Sequence, residues 1–268
     1  MGKIKNTIHN RNFVPSKKMG QNFLIDEDIA FNIVDLAQIN NYDLIIEVGP
    51  GRGALTKYLA QSHKSIIAVE LDKRLAEHML LNFKSHPNIK IINDDILKID
   101  WIKLIGGYKK ILLISNLPYS ISTPMLLKYL KQNKITSFVC MLQRELVHRL
   151  IAKPNTKEYG SISVLVQYYT TVKKILDVPN NAFIPAPKID SNVVSINKIN
   201  KHSFDERWAK FIHLCFSHKR KTLVNNLKSS FAIPKIHEIF HLFNIDLNIR
   251  AEQLSVDMFY KLYKGLNK

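Results

Sequence analysis

The sequence predicts an α/β fold: a parallel sheet with helices on both faces, followed by a small all-helical domain. Three observations carry this. Short apolar runs alternate with helical periodicity between residues 29 and 151, the pattern of successive βαβ units. A glycine-rich turn, Gly49-Pro50-Gly51-Arg52-Gly53, joins one apolar run to a helix. Beyond Asp205 only helical patterns remain, punctuated by Pro234.

The elements follow in order. Residues 1–21 are polar, basic and irregular, and read as an arm. Asp26 supplies an N-cap for a helix that places Ile29, Ile33, Val34, Leu36 and Ala37 at near-helical spacing. Residues 44–48 form a short apolar run closed by the glycine turn, hence a buried strand. A helix over 54–61, a strand over 65–69, a helix over 73–83 and a strand over 89–92 continue the alternation. Strands over 110–114 and 137–142 are followed by helices over 124–130 and 144–151. After Tyr159-Gly160 the pattern changes. Residues 162–171, 172–178 and 192–199 read as strands joined without helices, and a proline-rich loop carrying Phe183 separates the last two. A domain boundary near residue 200 gives an arm (1–21), a sheet domain (22–200) and a helical domain (201–268).

Composition narrows the function classes. The chain of 268 residues has 39 Lys plus Arg against 22 Asp plus Glu, a net charge of +17. Such a surplus favours a polyanionic partner, nucleic acid first and anionic lipid second. Lys3, Lys5, Arg11, Lys17 and Lys18 precede the first acid, Asp26, and a second cluster is His218-Lys219-Arg220-Lys221. Neither cluster belongs to an amphipathic helix with bulky anchors, which weakens the lipid option. No apolar run reaches the roughly 18 residues of a membrane helix, and the first turns of chain hold no leader-type apolar stretch. Cys140 and Cys215 form no Cys-x-x-Cys motif, which excludes a zinc ribbon or disulfide scaffold and points to reducing cytoplasm. His213-x-Cys215-x-x-His218 has poor spacing for one helical face and basic neighbours, so no metal is expected there. Trp101 and Trp208 read as packing residues. Nothing demands a dimer, so a monomer is expected.

The glycine turn allows a sharp reversal and close approach by a ligand. Glu70 ends the next strand roughly 20 residues on, where an acid accepts hydrogen bonds from ribose hydroxyls. Gly49-x-Gly51-x-x-Ala54 also satisfies a dinucleotide fingerprint, and a turn without a ligand stays open. Two features favour S-adenosylmethionine over NAD. Glu47, just before the glycines, is placed to engage the network around an ammonium, and the third glycine at 53 keeps the turn wide. Asp95 is the candidate acceptor for an adenine amine, with Asp94 as its competitor.

Asn116-Leu117-Pro118-Tyr119 follows the fourth strand. These residue types suit methylation of an exocyclic adenine amine. The N6 lone pair is delocalised into the ring. Acceptors on its hydrogens, the Asn116 side-chain oxygen and the Leu117 carbonyl, would favour a pyramidal nitrogen and free that pair. Pro118 fixes φ near −65°, and Tyr119 offers a stacking face. A plain β-turn has the same composition. The position at the carboxyl end of a parallel strand favours a ligand site.

Four segments, Gln21-Asn22-Phe23-Leu24, Glu47 to Gly53, Asn116 to Thr123 and Phe183 to Ser191, occur in the order found in the ribosomal RNA adenine N6,N6-dimethyltransferases. The chain resembles that family from Lys17 onward. Its small-subunit branch, the KsgA/RsmA enzymes, is the nearer match through Met141-Leu142-Gln143-Arg144-Glu145, Tyr159 to Val164 and Phe216 to Leu223. The resemblance implies a Rossmann-like S-adenosylmethionine-dependent methyltransferase sheet and a helical RNA-binding domain. It implies dimethylation of two adjacent adenines in a hairpin loop near the 3′ end of 16S rRNA, in the small-subunit precursor. By the same resemblance Asn22, Leu24, Gly49, Glu70, Asp95 and Asn116 contact the cofactor, Gly51 lies in its turn, and Phe183 stacks on the flipped adenine beside Tyr119. Lys17 and Lys18 on one side, and Lys219, Arg220 and Lys221 on the other, are expected to grip RNA around the active-site mouth. The rivals are the resistance branch acting on 23S rRNA, a non-catalytic RNA-binding assembly or transcription factor on the same fold, and an NAD oxidoreductase. The last lacks a His or Lys proton-donor motif.

Overall fold

The apolar runs of the sequence become the strands of one seven-stranded sheet in a computed structural model that describes residues 14–16, 19–199 and 203–267. In chain order the elements are β1 (Phe23–Leu24), α1 (Glu27–Leu36), β2 (Leu44–Val48), α2 (Thr56–Leu59), β3 (Ser65–Glu70), α3 (Lys73–Asn82), β4 (Ile89–Asn93) and α4 (Trp101–Ile105). Then come β5 (Ile111–Asn116), α5 (Ser122–Lys131), β6 (Ile135–Gln143), α6 (Arg144–Ile151), α7 (Ser161–Tyr169), β7 (Thr170–Val178), β8 (Phe183–Ile184) and β9 (Ser191–Lys198). Helices α8 (Glu206–Cys215), α9 (Leu223–Leu227), α10 (Ile233–Leu242) and α11 (Val256–Leu266) close the chain.

The sheet order is β4-β3-β2-β5-β6-β9-β7, and the pairs β4-β3, β3-β2, β2-β5 and β5-β6 are parallel. The chain winds outward from β2 through β3 to β4, then returns to the other side of β2 with β5. That reversal is a topological switch point, where sheets of this kind hold ligands at the carboxyl ends of the strands. Strand β2 is buried along its whole length, as a central strand covered on both faces requires. Asp26 caps α1 through its side chain, accepting from Ile29 N at 2.9 Å.

Two compact units divide the chain. One holds residues up to Arg144 together with Lys174–Ser195, the other Glu145–Lys173 together with residues from Ile196 onward. A single cut near residue 200 does not describe this division, because the chain passes from one unit to the other within β7 and again within β9. The first unit packs Ile33, Ile45, Leu59, Ile114 and Met141 into a common core. The second gathers aromatic rings, with Trp208 4.9 Å from Tyr168 and 5.4 Å from Tyr263 between ring centroids. Asp205 caps α8 and accepts from the Tyr263 hydroxyl at 2.8 Å.

One element differs in kind from the sequence expectation. Residues 162–169, read as strand, form most of α7. Ile162, Val164, Leu165, Val166 and Tyr169 are all buried, so the helix has no polar face and no visible helical period. The Gly160 N–H donates to Ser163 Oγ at 3.0 Å and starts the helix. Helix α2 is shorter than expected, at 4 residues. Trp101 and Trp208 are buried, as is Cys215, while His213 and His218 are exposed.

Candidate active site

The turn after β2 sets the geometry. Gly49, Gly51 and Gly53 have φ of +65°, +59° and +86°, all in the left-handed region that favours glycine. At Gly53 a Cβ would lie 3.1 Å from Met79 Sδ and 3.1 Å from Phe83 Cε2, so a side chain there would press on both in addition to straining the backbone. Just before the turn, Glu47 is 1% exposed and accepts from Thr56 Oγ1 at 2.6 Å. Burial pushes its carboxyl up to about 8.

Glu70 ends β3 with its carboxylate held by two backbone donors. Gly51 N donates to Oε2 at 3.0 Å and Asp72 N to Oε1 at 2.9 Å. Burial raises its pKa, and those N–H groups pull it part of the way back. After β4, Asp95 Oδ1 accepts from Leu97 N at 2.9 Å, while its Oδ2 lies 3.8 Å from Lys98. The neighbouring Asp94 is more exposed, and its Oδ1 accepts from Asp95 N at 2.7 Å.

Strand β5 delivers the fourth piece. Ser115 donates its hydroxyl to the Val48 carbonyl, tying β5 to β2 beside the glycine turn. Asn116 follows, and its Nδ2 donates to the Asn22 carbonyl at 3.4 Å. Pro118 has φ −55°, close to the value its ring imposes. Burial raises the Tyr119 phenol, whose hydroxyl shares a hydrogen bond with Ser191.

These pieces line one cavity of about 470 Å³. Gly49, Gly51, Glu70 and Asp95 line it together with Asn116, Leu117, Pro118 and Tyr119. Asn22 and Leu24 complete it from the N-terminal segment. The size falls in the range of pockets for small organic ligands. A buried acid that lines an apolar cavity at the end of the second parallel strand fits a nucleoside with two ribose hydroxyls. The residues therefore fit S-adenosylmethionine. Among the described residues no three His, Cys, Asp or Glu side chains gather as metal ligands.

Some expected residues are not brought there. Phe183 is 3% exposed and belongs to the core of the first unit. Strand β8 pairs antiparallel with β1, Leu24 opposite Phe183, and alternation turns Phe183 inward while Ile184 faces out at 51% exposure. In this structure its ring packs in that core and does not line the cavity. Lys17 and Lys18 lie outside the described residues. Lys219, Arg220 and Lys221 are exposed on the turn between α8 and α9 in the second unit, and Lys219 Nζ donates to the Lys157 carbonyl at 2.7 Å. Sequence reasoning assigns no role to Thr56, Asp72, Gln21 or Ser191. The last two meet partners 51 and 72 residues away, and no local pattern announces such pairs.

The sequence profile of the family described as ribosomal RNA adenine dimethylase matches residues 12–268. The chain belongs to this family. A ribosomal RNA small subunit methyltransferase A from Ureaplasma urealyticum serovar 10 is 42% identical over 273 residues, covering 99% of this chain and 97% of that protein. One of the same description from Alkaliphilus oremlandii is 39% identical over 277 residues, covering 99% and 96%. Among solved structures, a dimethyladenosine transferase from Plasmodium falciparum superposes with a TM-score of 0.79 at 24% identity, over 91% of this chain and 97% of the other. The 23S rRNA methyltransferase ErmE superposes at 0.70 and 21% identity, over 92% and 100%. Both support the dimethylase family's α/β fold with helices on both sides of the sheet and a helical C-terminal region.

Proposed function

We propose that this dimethylase family member transfers methyl groups from S-adenosylmethionine to the N6 amines of two adjacent adenines, in a hairpin loop near the 3′ end of 16S rRNA. The substrate is the small-subunit precursor. One observation carries the reading: Glu70 and Asn116, at the carboxyl ends of β3 and β5, open onto the same cavity. The small-subunit methyltransferases it resembles over nearly their whole length support the choice of RNA.

S-adenosylmethionine supplies an activated methyl group on a sulfonium. The chain supplies position. Glu70 holds the ribose end, its carboxylate aimed by Gly51 and Asp72. The Asn116 amide is held through its nitrogen by Asn22, which leaves its oxygen to accept from the target amine. The Leu117 carbonyl is the second acceptor, and together they favour a nucleophilic, pyramidal nitrogen. These fixed dipoles also stabilise the positive charge that reaches the nitrogen, and the cavity supplies alignment. Tyr119 is the stacking face for the base. Arg220 and Lys221, with Lys219, grip phosphates without reading sequence. A ribosomal substrate and two buried free cysteines support a cytoplasmic setting.

The test is methyl transfer from labelled cofactor to undermethylated small subunits, with modified bases mapped. Two neighbouring dimethylated adenines in the hairpin loop are expected. Transfer only to large-subunit RNA would replace this reading with the resistance-type activity. Asn116→Ala should abolish transfer and keep RNA binding.

A further inference from the structure

Both ends of the Gln21 amide are engaged. Its Oε1 accepts from Ser16 N at 2.8 Å, and its Nε2 donates to Asp72 Oδ2 at 3.1 Å. The partners fix the orientation, because a backbone N–H only donates and an ionised carboxylate only accepts. Asp72 is ionised: the Arg74 guanidinium, 2.7 Å from Oδ2, holds its carboxyl down to about 2. Asp72 is buried and is not among the residues that line the cavity, yet its own N–H aims the Glu70 carboxylate. Ser16, Gln21, Asp72 and Glu70 thus form one continuous hydrogen-bonded chain.

The next residue ties the segment at a second point, where the Asn22 carbonyl accepts from Asn116. Residues 19–22 form a wall of the cavity. That wall is fastened at one point to the residue that orients Glu70 and at the other to the residue placed at the reacting amine.

We propose that Gln21 and Asp72 are positioning residues whose hydrogen bond clasps the 19–22 wall onto the Glu70 end of the cavity, so that cofactor retention depends on a pair of which Asp72 lies outside it. The inference rests on the S-adenosylmethionine reading given above. Glutamine suits the place by chemistry. A glutamate there would set two carboxylates against each other, and a methionine would remove both bonds while keeping the length.

The test uses the full chain, calorimetry with S-adenosylmethionine, and amide exchange at residues 16, 19 and 21 in the cofactor-free protein. Gln21→Glu should raise the dissociation constant about ten- to a hundredfold, the loss expected for a hydrogen bond to a charged group. It should also speed exchange at the Met19 and Gln21 amides, which both donate to the Ser16 carbonyl. Adding Asp72→Asn should restore part of the affinity: the asparagine amide can donate to the new carboxylate and its oxygen can still cap α3, while Arg74 Nη2 loses its acceptor at Oδ2. Gln21→Met should lose affinity and speed Ser16 exchange, and Asp72→Asn should not rescue it. A wild-type chain that binds, with Gln21→Glu and Gln21→Met equal to it in affinity and in exchange, overturns the clasp alone. Equal loss in Gln21→Glu with and without Asp72→Asn also overturns it. A wild-type chain that binds no S-adenosylmethionine overturns the cofactor reading and the clasp together.

Discussion

The hydroxyl groups of Tyr119 and Ser191 lie 2.8 Å apart and join the end of the β5 motif to the first residue of β9. Ser191 is fully buried, so the bond fixes the far end of the Tyr119 ring to the rigid sheet. In the stacking role proposed for Tyr119, a ring held at its tip is preorganised for a base. Ser191→Ala should therefore lower the single-turnover rate while leaving cofactor affinity in place. The net loss of stability should be about 0.5–1.5 kcal/mol, the usual worth of one such bond. Tyr119→Phe removes the same bond from the other side, and the double variant should be no worse than the poorer single one. Urea unfolding and quenched-flow methyl transfer measure the two effects.

Glu70 carries the cofactor prediction. Glu70→Ala removes the acceptor for ribose and leaves the Gly51 and Asp72 amides without their partner. Affinity for S-adenosylmethionine should fall at least tenfold to a hundredfold, since each hydrogen bond to a charged group contributes about 1.5–3 kcal/mol. Calorimetry that returns the wild-type constant would remove the ribose role from this residue.

Glu47 predicts a pH dependence. Its carboxyl rises from an ordinary 4.5 to about 8 because it is buried. The folded state therefore prefers the protonated acid. The stabilisation is fully present below 4.5, declines as pH rises, and is gone above about 8. Glu47→Gln keeps an acceptor for Thr56 and cannot ionise. Urea midpoints of that variant should fall less between those two pH values than those of the wild type. Parallel curves would show that Glu47 ionises as easily in the folded chain as in the unfolded one.

The turn between α8 and α9 predicts a salt dependence. Replacing Lys219, Arg220 and Lys221 by Gln should weaken small-subunit binding. It should flatten the plot of log affinity against log salt by roughly 0.7–0.9 for each phosphate that is no longer neutralised. Cofactor affinity should not change. Lys219 also holds the Lys157 carbonyl, so Arg220→Gln with Lys221→Gln separates charge from local structure. An unaltered slope in both variants would locate the RNA grip elsewhere.

The strands of the parallel sheet are legible in the sequence because doubly covered strands must be continuous apolar runs, as Leu44–Val48 is. The glycine turn and Asn116 to Tyr119 are legible because their chemistry is local. Helix α7 is not. Its β-branched and aromatic residues favour strand on propensity, and burial on nearly every side erases the helical period. Phe183 misleads for a related reason: flanking prolines suggest an exposed loop, but a two-residue pairing with Phe23–Leu24, far away in sequence, turns its ring into the core. The bonds of Gln21 to Asp72 and of Tyr119 to Ser191 need the finished fold before either partner has a meaning.

The division of the chain into interleaved units bears on how the protein is made. Helix α7 packs Tyr168 against Trp208 of α8 and Tyr260 of α11, and both partners come later in the sequence. At a ribosomal pace of about 5–20 residues per second, the roughly one hundred residues between α7 and the end of α11 take on the order of 5–20 s to emerge. Helix α8 emerges part-way through that interval, and the cover from α11 comes only at its end. A gene truncated near residue 200 would make the interval permanent, leaving Tyr168 and Tyr169 without Trp208, Tyr260 and Tyr263. The helical region is therefore a late partner in synthesis, one that supplies the aromatic cover of α7.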